Sequence, residues 1–251
     1  MQKKRRRRIL ARVGWGVLLV VVLLIGGTIA WSQIGVSGAE AEPLAAVRAN
    51  PDVTITDDAA GIVLSPSDGS SDMGLVFIPG AKVDPWAYAS TLQQLAAEDD
   101  ITVVITKPWL NLAFFDLRPL DAFTSLAPDI DLWMAGGHSL GGVRACQLAT
   151  DTDALVLFAS YCATDLSDTD LPVLSIAGSA DGLSTPEKIA DARHLLPEDA
   201  ELVEIEGAAH SSFGAYGPQA GDGTSTISDE DMTAQLSSLV GAFASEVDSA
   251  R

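Results

Sequence analysis

Three runs in the chain, LWMAG (Leu132–Gly136), ALVLFA (Ala154–Ala159) and VLSIA (Val173–Ala177), are apolar throughout but for the small Ser175. A strand with one wet face alternates apolar and polar residues, whereas a strand covered on both faces reads as a continuous apolar run. These runs therefore predict a sheet sandwiched between helices. The intervening segments supply the helices. Pro85–Asp100 sets Tyr88, Leu92, Leu95 and Ala96 on one face, Leu140–Ala149 follows the first run, and Thr185–Leu196 opens on a Thr cap with Pro186 at its first position. From Asp229, an apolar stripe of Met232, Leu236, Leu239, Val240, Phe243 and Val247 predicts a closing helix. Further strands are expected at Gly61–Pro66, Gly74–Gly80, Ile101–Pro108 and Ala200–Gly207, with a short helix near Leu120–Leu126. The alternation specifies an α/β, doubly wound, mostly parallel sheet with helices on both faces. Ligands on such sheets bind at the carboxyl ends of the strands, so the residues that follow strands carry the functional question.

The first forty residues are a separate object. A basic cluster, KKRRRR at Lys3–Arg8, precedes 19 uncharged residues from Val13 to Trp31, long enough for a helix to cross a bilayer. Trp15 and Trp31 lie near its two ends, where indole rings favour the interface. The basic side predicts a cytoplasmic amino terminus and an exported remainder. Ser37-Gly38-Ala39 offers the alternative of a cleaved signal, which releases the same domain. We take residues 1–31 as the anchor, 32–51 as a polar tether and 52–251 as the folded domain.

Charge narrows the partners. Beyond Ser32 the chain holds eight basic against 34 acidic residues, a net −26. That surface repels phosphate backbones, and no nucleic-acid partner is expected. Cys146 reads as a small buried side chain of a core helix. One bridge to Cys162 is the alternative, which spacing does not decide.

At the end of the LWMAG strand stands GGHSLGG (Gly136–Gly142), containing G-x-S-x-G centred on Ser139. A sharp strand-to-helix corner holds a serine hydroxyl in the open, and small residues two positions away avoid the clash between strand and helix. A serine needs a base, and the base needs an orienting carboxylate. Of three histidines, His138 diverges from Ser139 at a tight turn and His194 falls in the last turn of a helix. His210, in EGAAHSSF, alone follows a strand. Asp181, in GSADG, likewise follows a strand, whereas its rivals Asp165, Asp168 and Asp170 lie in a hydrophilic loop before one. The order Ser139, Asp181, His210 suits this sheet. The amide of Leu140 and one from the PGAKVDP loop, at Gly80 or Ala81 with Ala81 favoured, are the expected oxyanion donors. Phe114 and Phe115 are candidates to line the substrate site. Asp222 and Asp229 lack a coherent ligand spacing, so neither a metal nor another cofactor is expected.

The segments FIPGAKVDPWAYA, KPWLNLAFFD, GGHSLGG, GSADGLSTPEK and IEGAAHSSFGAYGPQAGDG together resemble the alpha/beta-hydrolase superfamily, and more narrowly a compact branch related to dienelactone hydrolases. The resemblance implies a Ser-Asp-His triad at Ser139, Asp181 and His210. It departs from a dienelactone hydrolase in having serine where that enzyme carries a cysteine nucleophile, which points instead to a serine esterase. The segment Tyr161–Leu171 is too short for the helical cap of many relatives, so an open site is expected. The resulting expectation is a membrane-anchored, extracytoplasmic serine hydrolase of small-molecule carboxylic esters. An acyltransferase and a non-catalytic membrane-tethered binding protein are the alternatives.

Overall fold

The computed structural model describes residues 2–250, apart from the side chains of residues 2–4, 7–9 and 11. Lys3, Lys4, Arg7 and Arg8 of the basic cluster thus lie outside the described side chains. The chain begins with helix α1 (Gln2–Gln33) and continues through helix α2 (Ala41–Ala49) and strands β1 (Val53–Asp57), β2 (Gly61–Pro66) and β3 (Met73–Ile78). Helix α3 (Ala89–Glu98), β4 (Ile101–Thr106), α4 (Asp121–Thr124), β5 (Leu132–His138) and α5 (Leu140–Leu148) follow. The remainder is β6 (Ala154–Phe158), β7 (Val173–Gly178), α6 (Pro186–Asp191), β8 (Glu201–Ile205) and α7 (Asp229–Ser249).

The eight strands form one sheet in the order β1-β2-β4-β3-β5-β6-β7-β8. From β4 to β8 all neighbours are parallel, while β1 and β2 make an antiparallel margin. The continuous apolar runs behave as a two-sided sheet requires. Leu75 and Phe77 of β3, with Val156 and Phe158 of β6, enter the core beneath α3 and α7. Val76, Ile78, Leu155 and Leu157, one residue out of phase, enter the opposite core beneath α5. Burying both faces along five parallel strands fixes their register, because a slip by one residue would exchange the two cores.

Two elements differ from the sequence reading. Strand β1 was not anticipated; its alternation VTITD pairs Val53 with Pro66 through Asp57 with Ile62. The stretch expected to be a polar tether contains helix α2, with Val47 fully buried in the core that α3 shares. Val47 is its one buried residue, with Pro43 and Leu44 half-buried and the alanines exposed, so the helix carries almost no apolar periodicity. Cys146 is buried as expected, but it is not a free side chain: a disulfide joins it to Cys162. The bridge ties the loop after β6 to the core side of α5.

Helix α1 includes the 22-residue stretch Arg12–Gln33, long and apolar enough to cross a membrane; an 18-residue window within it has a mean hydropathy of 2.4 and no buried residue.

Candidate active site

Ser139 occupies the corner between β5 and α5 with φ 53° and ψ −122°. This backbone region is strained for any residue with a Cβ, and a strained corner persists only where its surroundings over-determine it. Here the amide of Ser139 donates to the carbonyl of Phe158 at 3.0 Å, and the Ser160 hydroxyl donates to the carbonyl of Ser139 at 2.7 Å. The flanking glycines are required by space. A Cβ on Gly141 would lie 2.0 Å from the carbonyl oxygen of Ile78, and one on Gly137 would lie 2.5 Å from the backbone of Gly141. Ser139 itself remains partly exposed.

Asp181 follows β7 and His210 follows β8, at the start of a 3-10 turn through Phe213. The structure brings these two together. His210 Nδ1 lies 2.8 Å from Asp181 Oδ2, both side chains being almost wholly buried. A carboxylate can only accept, so Nδ1–H donates and Nε2 is left as the free lone pair. The other carboxylate oxygen of Asp181 accepts the amides of Leu183 at 2.7 Å and Ser184 at 2.8 Å. The Ser139 hydroxyl makes no hydrogen bond among the described residues, to His210 or otherwise. Its neighbour His138 places its ring centroid 4.5 Å from that of His210, so the loop after β8 reaches back past β6 and β7 to the end of β5. Hydrogen bonds to a catalytic serine are often long before substrate arrives.

Of the other histidines, His138 is buried and His194 lies beyond the end of α6 rather than in its last turn. His138 is buried between Tyr88, Phe213 and His210. Burial, reinforced by the neighbouring His210, holds its pKa well below 6.5, so its ring stays neutral. Its Nδ1 shares a hydrogen bond with the Tyr88 hydroxyl at 2.9 Å. His194 is exposed on a 3-10 turn, with Nδ1 2.8 Å from the Asp191 carbonyl. Asp165, Asp168 and Asp170 are all exposed, and none of them pairs with His210.

The loop after β3 distinguishes the two possible second donors. The Gly80 amide donates to the Tyr88 hydroxyl at 3.0 Å and is consumed. The amides of Ala81 and Leu140 donate to no group among the described residues. Leu140 is the first residue of α5, where an amide has no partner within the helix. Phe114 and Phe115 stand edge to face, 5.7 Å apart, in the loop after β4. They are 68% and 44% exposed, so they border an open rim rather than an enclosed pocket.

Sequence reasoning missed Asp222. Its carboxylate accepts four backbone amides: Gly182 at 3.1 Å, His210 at 3.0 Å, Ser211 at 2.8 Å and Gly223 at 2.7 Å. Partial burial pushes its pKa up, but the four amides outweigh that and hold it below 3.8. A carboxylate so engaged serves as a clamp between the Asp181 and His210 loops. Tyr88 was also missed as a polar participant, having been read only as part of an apolar helix face. Neither residue belongs to a local motif, because each meets its partners only after distant strands pair.

No curated protein matches the chain. The model of the alpha/beta hydrolase family matches residues 74–234, well over half of the sequence and the stretch that contains Ser139, Asp181 and His210. Together with an eight-stranded, mostly parallel sheet and a strained serine after its fifth strand, that match places the chain in the alpha/beta hydrolase family.

Proposed function

We propose that the protein is an extracytoplasmic serine hydrolase of carboxylic esters, held at the membrane by α1 with its amino terminus in the cytoplasm. The observation that carries this reading is the buried His210–Asp181 pair, 2.8 Å across, beside a serine in a strained corner. In the reaction, His210 Nε2 accepts the Ser139 proton as Oγ bonds to the ester carbonyl carbon. Asp181 holds the tautomer and steadies the imidazolium. The tetrahedral oxyanion accepts hydrogen bonds from the amides of Leu140 and Ala81, donors already oriented before charge develops. As the intermediate collapses, the alkoxide leaves with the proton from His210, giving an acyl-enzyme. Water, deprotonated by the same imidazole, releases the acid and regenerates the serine. Every step uses groups on the rim at the carboxyl ends of the strands.

A fluorophosphonate probe tests the reading. Folded wild-type protein is expected to be labelled covalently, and Ser139→Ala to be silent. Labelling of both alike refutes Ser139 as the nucleophile, and labelling of neither favours a non-catalytic role for the fold.

A further inference from the structure

The end of α1 is fastened to the loops that border the candidate site. Lys82, next to the oxyanion donor Ala81, extends its ammonium to the carbonyls of Trp31 at 3.1 Å and Ile34 at 3.2 Å. The same ammonium sits 3.7 Å from the centre of the Trp31 ring. The Asn111 side chain, in the loop after β4, donates to the carbonyl of Ser32 at 3.3 Å. The Lys82 amide donates to the Asn111 carbonyl at 2.8 Å, so the two loops are also joined to each other. Ser37 completes the seam: its amide donates to Lys82 and its carbonyl accepts from Asp84, at 2.8 and 2.9 Å. Lys82, Leu110 and Asn111 all hold positive φ, 55–59°, a conformation that needs support from such contacts. The place where α1 ends is therefore also the border of the candidate site.

Exposed apolar side chains gather on the same border. Outside α1 and the adjoining Ile34, the large hydrophobic residues left exposed are Trp109, Phe114, Phe115, Leu117, Tyr161 and Leu202. All but Leu202 lie in loops at the carboxyl ends of strands, and four of them fall within nine residues of the loop after β4. Scattered exposure of single apolar residues is ordinary, but a contiguous set on one rim marks an interaction surface. Residues 101–120 carry Lys107 and Arg118 against one acid, Asp116, but both cations are paired, Lys107 with Asp57 and Arg118 with Asp116. The attraction of this rim for a bilayer therefore rests on its apolar side chains and not on charge.

We propose that this rim lies on the bilayer surface, with Trp109, Phe114, Phe115 and Leu117 immersed at the headgroup–acyl boundary, and that the substrate is an acyl ester whose chain lies in the same leaflet. The occupant is assigned as lipid because the apolar set adjoins the last turn of the one helix, among the described residues, suited to cross a membrane. Trp31 and its Lys82 partner mark the level where that helix leaves the hydrocarbon. A lipid-borne ester then reaches Ser139 by moving along the rim, without crossing water. The inference rests on the membrane-anchored ester hydrolase proposed above, and names where its substrate comes from.

The test uses the full-length chain reconstituted in phosphatidylcholine vesicles. Both native cysteines are in the disulfide, so a cysteine at Leu117→Cys takes a fluorescent dye at a single position. A control dye is placed at Asp248→Cys, exposed at the other end of the sheet near Met73 and Ile101. With spin-labelled lipids in the bilayer, several-fold stronger quenching is expected at 117 than at 248. Equal quenching overturns the proposal, as does a dye at 117 that is shielded from water yet insensitive to the lipid quencher, since a second copy of the chain then covers the rim. A second reading compares a long-chain fluorogenic oleate ester held in the vesicles with a soluble butyrate ester. In Trp109→Ser/Leu117→Ser, the oleate-to-butyrate rate ratio is expected to fall about tenfold. An unchanged ratio overturns the substrate assignment. Wild-type protein that hydrolyses neither ester refutes the catalytic reading instead, and the quenching comparison still decides the position of the rim.

Discussion

The amide of His210 donates to the carboxylate of Asp222 at 3.0 Å, although the two residues share no secondary-structure element. Because Asp222 also accepts the amide of Gly182, beside Asp181, it fixes the distance between base and orienting acid from behind. We expect Asp222→Ala to lower kcat about 10- to 100-fold while the protein stays folded, by loosening a constellation that must be held closely. The acidic limb of the pH–rate profile should shift as well, since the His210–Asp181 pairing is what loosens. Asp222→Asn, which keeps one acceptor oxygen, should recover part of the loss. A purely structural role for Asp222 would lower Tm with no movement of that limb.

The same carboxylate sets an acid limit. Its folded pKa lies below the ordinary 3.8, so its contribution is fully present above that value and is lost as pH falls further. Circular dichroism paired with activity between pH 5 and 3 should show no loss attributable to this clamp until the lower part of that range. The test is the difference between wild type and Asp222→Asn, whose side chain does not titrate.

His138 makes stability depend on pH in a higher window. The native ring resists protonation, whereas the unfolded ring protonates near 6.5. As pH falls through 6.5 the unfolded state binds a proton that the native state refuses, so stability declines. The slope from this group is at most about 1.4 kcal/mol per pH unit, until the native ring itself protonates. Denaturant unfolding between pH 7.5 and 5.5 should show this decline in wild type and a shallower one in His138→Gln. Equal slopes would remove His138 as its source.

The disulfide closes a loop between residues 16 apart, Cys146 and Cys162. Restricting the unfolded chain in this way stabilises by about 3 kcal/mol. Reduction, or replacement of both cysteines by serine, should therefore cost about 2–4 kcal/mol in denaturant unfolding under conditions where the wild type keeps its bridge. Equal stability with and without the bridge would count against it.

Gly141 isolates the steric demand of the corner. An alanine there meets the carbonyl oxygens of Ile78 and Pro79 at 2.0 and 2.5 Å, so either the helix start or β3 must move. Gly141→Ala should reduce activity at least about 100-fold and lower Tm, consistent with overpacking against immobile backbone. Gly38→Ala, with nothing within 4 Å of the new carbon, is the matched control and should change neither.

What the sequence revealed divides along a physical line. The corner at Ser139 was legible because its signals are local: an apolar run, crowded glycines and a following helix. The strand-end positions of Asp181 and His210 followed from the same two-sided sheet, and the His210–Asp181 contact is what such positions allow. Asp222 was not legible, because its partners are backbone amides at residues 182, 210, 211 and 223 that converge only after β7 and β8 pair. The Cys146–Cys162 bridge likewise depends on where α5 ends relative to β6. Helix α2 was concealed by composition, since one buried valine among alanines and acids leaves little periodic signal. The fastening of α1 to Lys82 and Asn111 relies on carbonyls at a helix end, which no side-chain pattern announces.

The decisive measurement is ester hydrolysis by Ser139→Ala, His210→Ala and the double variant, each checked for native circular dichroism, with His194→Ala as a control. Residues that act as one unit are not additive, so each single variant should lose about 10⁴-fold or more in kcat and the double variant little beyond that. His194→Ala should retain the wild-type rate. A His210→Ala protein that turns over near the wild-type rate, or a His194→Ala protein that fails as badly, would contradict the convergence of Ser139, Asp181 and His210 into one catalytic centre.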